Sequence, residues 1–376
     1  MRTAFDLAMR GRGFVEPNPL VGCVIVKADR IIGQGHHQEF GREHAEASAL
    51  AACAESPQGA AVYVNLEPCC HTDKKTPPCV PALIQAKVAR VVAGCLDPNP
   101  LVSGNGLAQL RAGGIETQAG LLEPEARQLN APFFASALHG RPYVTLKWAQ
   151  TADGRVAGPD GTRLRISNGA SFRVVHQLRS RCDAILIGMG TALSDDPLLT
   201  TRDVERARPL LRVVLDPLLG LADESQLLRS ARQFPLLVYC STETYGALPQ
   251  RLRHLESLGA QVAPIAADSP CCLCLADVLK DLHARRITHL LVEPGPTLAD
   301  SFIRQNLADR VWVFHSPLRV NSPTAPPAPV LDYPTTGQVD IETDRLTEHL
   351  NPSSPVFFAL DPSPDLQRIC GPGRPR

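Results

Sequence analysis

The sequence predicts an α/β protein of two domains, each a sheet layered with helices. Three observations carry this. The chain has 376 residues, and domains usually run ~100–200 residues. Short apolar runs rich in β-branched residues alternate with segments of helical period along most of the length. The alternation pauses at HGRP (139–142) and then restarts. An apolar content of 44% is ordinary for globular proteins, so a core can form without disulfides.

The elements follow in order. TAFDLAM (3–9) is a helix ended by glycines; it has neither the long apolar stretch nor the cleavage site of a leader. VGCVIV (21–26) is a strand, and IIGQG follows after the turn KADR. HAEASALAACA is a helix, AAVYVNL a buried strand, CVPALIQAKV a helix, ARVVAGCLD a strand. GLAQLRAGG is a helix closed by two glycines, and EPEARQLNAPFFASALHG (123–140) reads as one more. Helices on both faces of one sheet are expected.

Beyond the joint come strands YVTLKWA, DAILIGMG, LLRVVLDP, PLLVYCS, THLLVEPGP and RVWVFHS. Between them lie helices around VVHQLRSR, 245–258, LADVLKDLHARR and LADSFIRQ, a Rossmann-like alternation. Residues 318–337 are proline-rich and read as loop, and the end reads as a frayed tail. The domains are therefore expected at 1–140 and 143–361, with a tail at 362–376. No run of 18 apolar residues occurs, so no membrane span is expected. Lys plus Arg and Asp plus Glu both number 38, and no basic stripe is visible, which counts against a nucleic-acid partner.

Twelve cysteines are scattered, clustering at Cys69, Cys70, Cys79 and at Cys271, Cys272, Cys274. This suits a reducing, cytoplasmic protein, where clustered cysteines mean metal or catalysis more often than cross-links. The second cluster lacks partners at ligand spacing, although His283 is within reach, and reads as surface or core thiols.

The first cluster lies in LEPCCHTDKKTPPC (66–79), downstream of GREHAEASAL. His44 and Glu46 stand two apart at a loop-to-helix junction. H-x-E followed by P-C and a further Cys is the signature of zinc nucleobase deaminases. Zinc prefers nitrogen and thiolate ligands, and a catalytic site keeps one position for water. His44, Cys69 and Cys79 are the candidate ligands. Glu46, which must move protons, is kept off the metal, and three ligands plus water leave Cys70 a bystander. The competing reading is that these are loop and core residues, and the ordered strand, loop and helix context weighs against it.

These motifs resemble the bifunctional riboflavin-biosynthesis deaminase–reductases of the RibD type. PNPLVGCVIV, HAEASAL, LEPCCHTDKKTPPC and LDPNPLVSGNG carry the resemblance in the first half. VTLKWAQTADGR, DAILIGMGTALSDDPLLTTR, LRVVLDP and VEPGPTL carry it in the second, and it covers about residues 1–317. It implies a cytidine-deaminase-like three-layer α/β/α domain that deaminates a diaminopyrimidinone ribosyl phosphate. It also implies a dihydrofolate-reductase-like domain that uses NADPH to reduce the ribosyl chain to ribityl phosphate.

Carried over by position, Asn18, His71, Asp97 and Asn99 lie at the deaminase substrate; the competing reading of Asn18, Asp97 and Asn99 is turn formation beside proline. Ala149, Thr191, Asp195, Gly295, Pro296 and Thr297 lie along the nicotinamide cofactor. Lys147, Arg179, Leu199, Arg202 and Glu293 lie at the reductase substrate, and Asp153 also matches. The resemblance implies a small phosphorylated pyrimidine as partner and homo-oligomers joined through the reductase domain.

The chain also departs from the family. The loop between Cys69 and Cys79 is one residue longer, with Cys70 where serine is common, so the phosphate lysine is either Lys74 or Lys75. Arg165 replaces a tryptophan, Arg163 a small polar residue, and Phe172 stands near a frequent arginine. After Val313 the usual P-K-L-L-G-G is absent, and prolines argue against a regular strand there. Gly188 and Gly190 lack the third glycine of a dinucleotide fingerprint. Two expectations compete: nicotinamide binding is lost, leaving a deaminase with a structural second domain, or an arginine grips a phosphate.

Overall fold

The computed structural model describes residues 1–72, 76–202, 208–269, 271–354 and 356. The chain divides into two compact units, Met1–Gly140 and Arg141–Arg376. No helix among the described residues is long and apolar enough to cross a membrane.

The first unit runs α1 (Arg2–Ala8), β1 (Gly22–Lys27), β2 (Arg30–His36), α2 (Ala45–Ala51), β3 (Ala61–Leu66), α3 (Cys79–Gln85) and β4 (Arg90–Cys95). It continues with α4 (Asn105–Ala112), β5 (Glu116–Ala119), α5 (Glu123–Leu129) and α6 (Ala131–His139). Its sheet has the order β2-β1-β3-β4-β5, with β1 antiparallel to both neighbours and the rest parallel. The β1–β2 hairpin turns through Ala28 and Asp29 at φ 47° and 59°, as a type I′ turn requires. Side chains alternate along β1: Cys23 and Ile25 pack with residues of α2, α3 and α4, while Val24 packs with Ala4 and Leu7 of α1. Gly33 and Gly35 let α2 lie close on β2, since a Cβ at either would sit 2.5 Å from Ala49 backbone atoms. That close approach places the start of α2 at one end of the sheet.

The second unit opens with β6 (Tyr143–Gln150), α7 (Gly169–Ser180), β7 (Ala184–Gly188), α8 (Met189–Asp195), β8 (Leu211–Leu215), α9 (Gln226–Arg229) and β9 (Leu236–Ser241). Then come α10 (Thr242–Ala247), α11 (Pro249–Ser257), β10 (Gln261–Ile265), the short pair β11 (Ala267–Ser269) and β12 (Cys272–Leu273), α12 (Leu275–Ala284) and β13 (His289–Val292). It closes with α13 (Pro296–Arg304), β14 (Arg310–His315), β15 (Thr335–Ile341) and β16 (Asp344–Leu350). The main sheet has the order β10-β9-β8-β7-β13-β6-β14-β16-β15, parallel up to β14 and antiparallel in the last two pairings, β14–β16 and β16–β15. Both faces are covered, which explains apolar runs such as AILIG. Ile185 and Ile187 join one core and Ala184 and Leu186 the other.

Three expectations are corrected and one further strand appears. Segment 123–140 is two helices, because Asn130 leaves helical geometry (φ −106°, ψ 19°) and its side chain bonds both the Leu20 N–H and C=O. The helix expected at 245–258 is likewise broken, with Pro249 starting α11. The edge strand β5, ETQA, is too short and polar to stand out. The prolines mark a loop only as far as 334; β15 and β16 then extend the sheet, secured by Trp312 Nε1 donating to buried Glu348 at 2.9 Å. The expected tail at 362–376 lies outside the described residues.

Candidate active sites

In the first unit, His44 caps α2 with extended backbone (φ −76°, ψ 162°). Cys69 follows β3, and Cys79 is the first residue of α3. The N–H groups of Cys79 and Val80 donate to the Cys69 carbonyl at 3.0 and 3.2 Å, and the Cys79 N–H also lies 3.4 Å from Cys69 Sγ. A helix start thus faces the sulfur, which favours thiolate. His44 Nδ1 is 3.4 Å from both cysteine sulfurs, and the three ligand atoms lie within 4.8 Å of one another. Tetrahedral zinc with ordinary bond lengths separates a nitrogen and a sulfur ligand by about 3.5 Å, so the donor set fits the ion.

The far nitrogen of His44, Nε2, is 2.9 Å from the Thr76 hydroxyl. Such a partner fixes ring orientation and leaves Nδ1 for a metal. Glu46, in the first turn of α2, is 3% exposed. Burial, then the neighbouring Cys69, raises its pKa above the ordinary carboxyl value, against the pull of His44. Cys70 is half-buried with its sulfur 3.6 Å from the Leu101 carbonyl, outside the trio.

The four residues expected at the pyrimidine are placed as follows. Asn18 Nδ2 is 3.1 Å from His37 Nε2, and His37 Nδ1 is 2.9 Å from the Glu43 carbonyl. With Nδ1–H donating to that carbonyl, Nε2 accepts from the Asn18 amide. Burial lowers the pKa of His37, which favours this neutral form. Among the described residues, His71 Nδ1 is buried with no hydrogen-bond partner. Asp97 Oδ1 accepts the Asn99 N–H at 2.8 Å, and Asn99 Oδ1 accepts the Leu101 N–H at 3.0 Å. Both therefore make Asx turns. Lys74 and Lys75 lie outside the described residues.

Three contributors were missed in the sequence: Thr76, His37 and Glu67. Buried Glu67 accepts N–H groups from Asp97, Gly104 and Leu107 at 3.3, 2.9 and 3.1 Å, and so pins the 97–107 loop to the end of β3. Its signal was an acid directly after an apolar strand.

In the second unit, a cavity of about 1090 Å³ gathers Lys147 and Ala149 of β6, Arg179 of α7, Thr191 and Asp195 of α8, and Leu199 and Arg202 beyond α8. Glu293, Gly295, Pro296 and Thr297, between β13 and the first turn of α13, complete it. Arg179 grips Glu293 with two hydrogen bonds of 2.8 Å. Burial pushes the Glu293 carboxyl up, but Arg179 and then Lys147 outweigh it, and its pKa falls to about 2. Burial lowers the Lys147 pKa, opposed by Glu293 and helped by Arg179; its Nζ sits 5.4 Å from the Phe314 ring centre. Leu199 holds a left-handed φ of 55°, uncommon for a non-glycine residue and often found at functional sites.

Asp153 faces another task. It accepts N–H groups from Val320 and Asn321 at 3.2 and 2.8 Å and ties that loop to the end of β6. Arg163, Arg165 and Phe172 all line the cavity, and the Arg165 guanidinium lies 5.2 Å from the Phe172 ring centre. Cys271 and Cys272 are exposed at the rim, while Cys274 packs against core; with His283 they form no three-ligand group among the described residues.

Comparison with known proteins matches both units to known domains. Residues 1–95 match the cytidine and deoxycytidylate deaminase zinc-binding region, and residues 142–329 match the RibD C-terminal domain. The chain is 40% identical over 317 residues to riboflavin biosynthesis protein RibD of Aquifex aeolicus, covering 84% of this chain and 86% of that one. Against the Escherichia coli protein of the same name, identity is 36% over 348 residues, covering 86% and 88%. Among solved structures, Acinetobacter baumannii RibD superposes with a TM-score of 0.81 at 32% identity, covering 93% of this chain and 97% of that chain. The diaminohydroxyphosphoribosylaminopyrimidine deaminase/5-amino-6-(5-phosphoribosylamino)uracil reductase of Thermotoga maritima does so with 0.80 at 33%, with the same coverage. The matched second domain and its formed cavity favour a working reductase over a deaminase with a structural appendage. The chain therefore belongs to the RibD family of riboflavin biosynthesis, as a bifunctional enzyme with a zinc-binding deaminase domain and a reductase domain.

Proposed function

We propose that this enzyme hydrolyses the amino group from a diaminopyrimidinone ribosyl phosphate and then reduces the ribosyl chain to ribityl phosphate with NADPH. The observation that carries the first half is the convergence of His44, Cys69 and Cys79 beside buried Glu46. The Thermotoga maritima relative carries both activities in its name.

His44, Cys69 and Cys79 would hold zinc. When bound, zinc is a Lewis acid that makes water nucleophilic at neutral pH. Glu46 takes one proton from the attacking water and passes it to the ring nitrogen, then carries the second, from the hydroxyl so formed, to the amino group, which leaves as ammonia while the carbonyl forms. Thr76 keeps the His44 ring from turning. Asn18, held by His37, together with His71 and the Asp97–Asn99 turn, offers the polar edge that a pyrimidine needs.

In the reductase cavity NADPH supplies a hydride when bound. Ala149, Thr191 and Asp195 take the cofactor side with Gly295, Pro296 and Thr297, where the opening N–H groups of α13 suit a phosphate. The Arg179–Glu293 pair, Lys147, Leu199 and Arg202 take the substrate side.

The test gives zinc-loaded protein the diaminopyrimidinone ribosyl phosphate, with and without NADPH, and weighs the products. The expected result is exchange of the amino group for oxygen in both tubes and a further gain of two hydrogens only with NADPH. Deamination alone in both tubes would remove the reductase half of the proposal. No change in either would sink it.

A further inference from the structure

Three guanidinium groups in the reductase cavity stand without a carboxylate among the described residues. Arg163, Arg165 and Arg202 line it and are exposed, and none has an ion-pair partner among the described residues. Arg179, by contrast, is neutralised by Glu293. Helix α7 organises the group. Phe172, His176 and Arg179 recur at i, i+4 and i+7, so they share one face. The Arg165 guanidinium rests 5.2 Å from the Phe172 ring centre, and the Arg202 N–H donates to His176 Nδ1 at 3.2 Å. Four helical residues rise about 6 Å, so Arg165 and the segment carrying Arg202 dock on adjacent turns. Arg163 stands two residues before Arg165 and also lines the cavity.

Positive charges that share one cavity repel each other until an anion arrives. The arginine fork matches phosphate oxygens two at a time, which an ammonium cannot do. We infer that Arg163 and Arg165, with Arg202, bind a phosphate monoester in this cavity, and that Phe172 holds Arg165 in place for it. The inference rests on reading the cavity as the reductase site. Two phosphates are available there: the ribosyl phosphate of the pyrimidine and the 2′-phosphate of the cofactor.

Calorimetric titration of the full-length, zinc-loaded protein distinguishes them. One arm compares NADP⁺ with NAD⁺, the other ribose 5-phosphate with ribose. Each is run on wild type, R163A, R165A, the R163A/R165A double variant, R165K and F172A, with a thermal melt as the check on folding. Losing a hydrogen bond to a charged group costs about tenfold or more in affinity. R163A and R165A are therefore expected to cut the phosphate preference in one arm by about that factor, R165K and F172A by less. The arm that responds identifies the phosphate. If R163A, R165A and the double variant keep the wild-type preference in both arms, the inference is wrong while the reductase reading stands. If wild type binds no member of either pair, both fall.

Discussion

The deaminase site and the reductase cavity are held together in different ways. At the first, three ligand atoms lie within 4.8 Å of one another, supplied by a helix cap, a strand end and a helix start. At the second, residues drawn from positions 147 to 326 surround about 1090 Å³. A metal fixes a few atoms at fixed distances, so the residues that matter are few, local and intolerant. A cavity of this size is a wall built from many residues, and a contact such as that of Arg165 with Phe172 is one part of it.

The sharpest way to break the comparison is Glu46→Gln. If the deaminase site is a minimal constellation, losing one proton carrier should cost about two to four orders of magnitude in deamination, with zinc still bound by elemental analysis. Reduction of deaminated substrate, supplied directly, should continue. A variant that deaminates at near wild-type rate would place the proton transfer elsewhere.

Arg179→Ala probes the other side. It leaves Glu293 partly buried without its cation, which should cost about 3 kcal/mol in urea unfolding and abolish reduction, with zinc content unchanged. The pH dependence follows from the same pair. Glu293 has a folded pKa of about 2 against an ordinary 4.5, with Arg179, Lys147 and His176 facing it. Its contribution is complete above pH 4.5 and is lost as pH falls towards 2, because protonation ends the pairing. The acid limb of the stability curve should therefore flatten in Arg179→Ala. An unchanged limb would mean that Lys147 alone holds the carboxylate.

The same contrast explains what could be read in the sequence. His44, Glu46, Cys69 and Cys79 were legible because a metal imposes spacing on the chain. Thr76, His37 and Glu67 were not, because each acts through a neighbour far along the chain, and a lone threonine or histidine carries no pattern. The alternating core of both sheets was legible from β-branched runs. The break at Asn130 was not, since its cause is a pair of hydrogen bonds to Leu20, 110 residues away. The β15–β16 hairpin hid behind prolines that belong to the loop before it. Arg165 and Phe172 read as two separate losses, and only their contact shows them as one pair.

The two smallest expected effects test how far the metal site's intolerance extends. Thr76→Val keeps the shape but removes the hydroxyl 2.9 Å from His44 Nε2. Partners of this kind are worth about 10–100-fold in metal affinity, so zinc should be released to a competing chelator at correspondingly lower concentration. Cys70→Ser should do almost nothing to zinc stoichiometry or affinity, although it changes a thiol next to a ligand. Its sulfur is directed to the Leu101 carbonyl, and a hydroxyl can make that bond as well. A loss of zinc in Cys70→Ser as large as in Thr76→Val would put Cys70 in the coordination sphere. The boundary between the intolerant trio and its tolerant surroundings would then have to be redrawn.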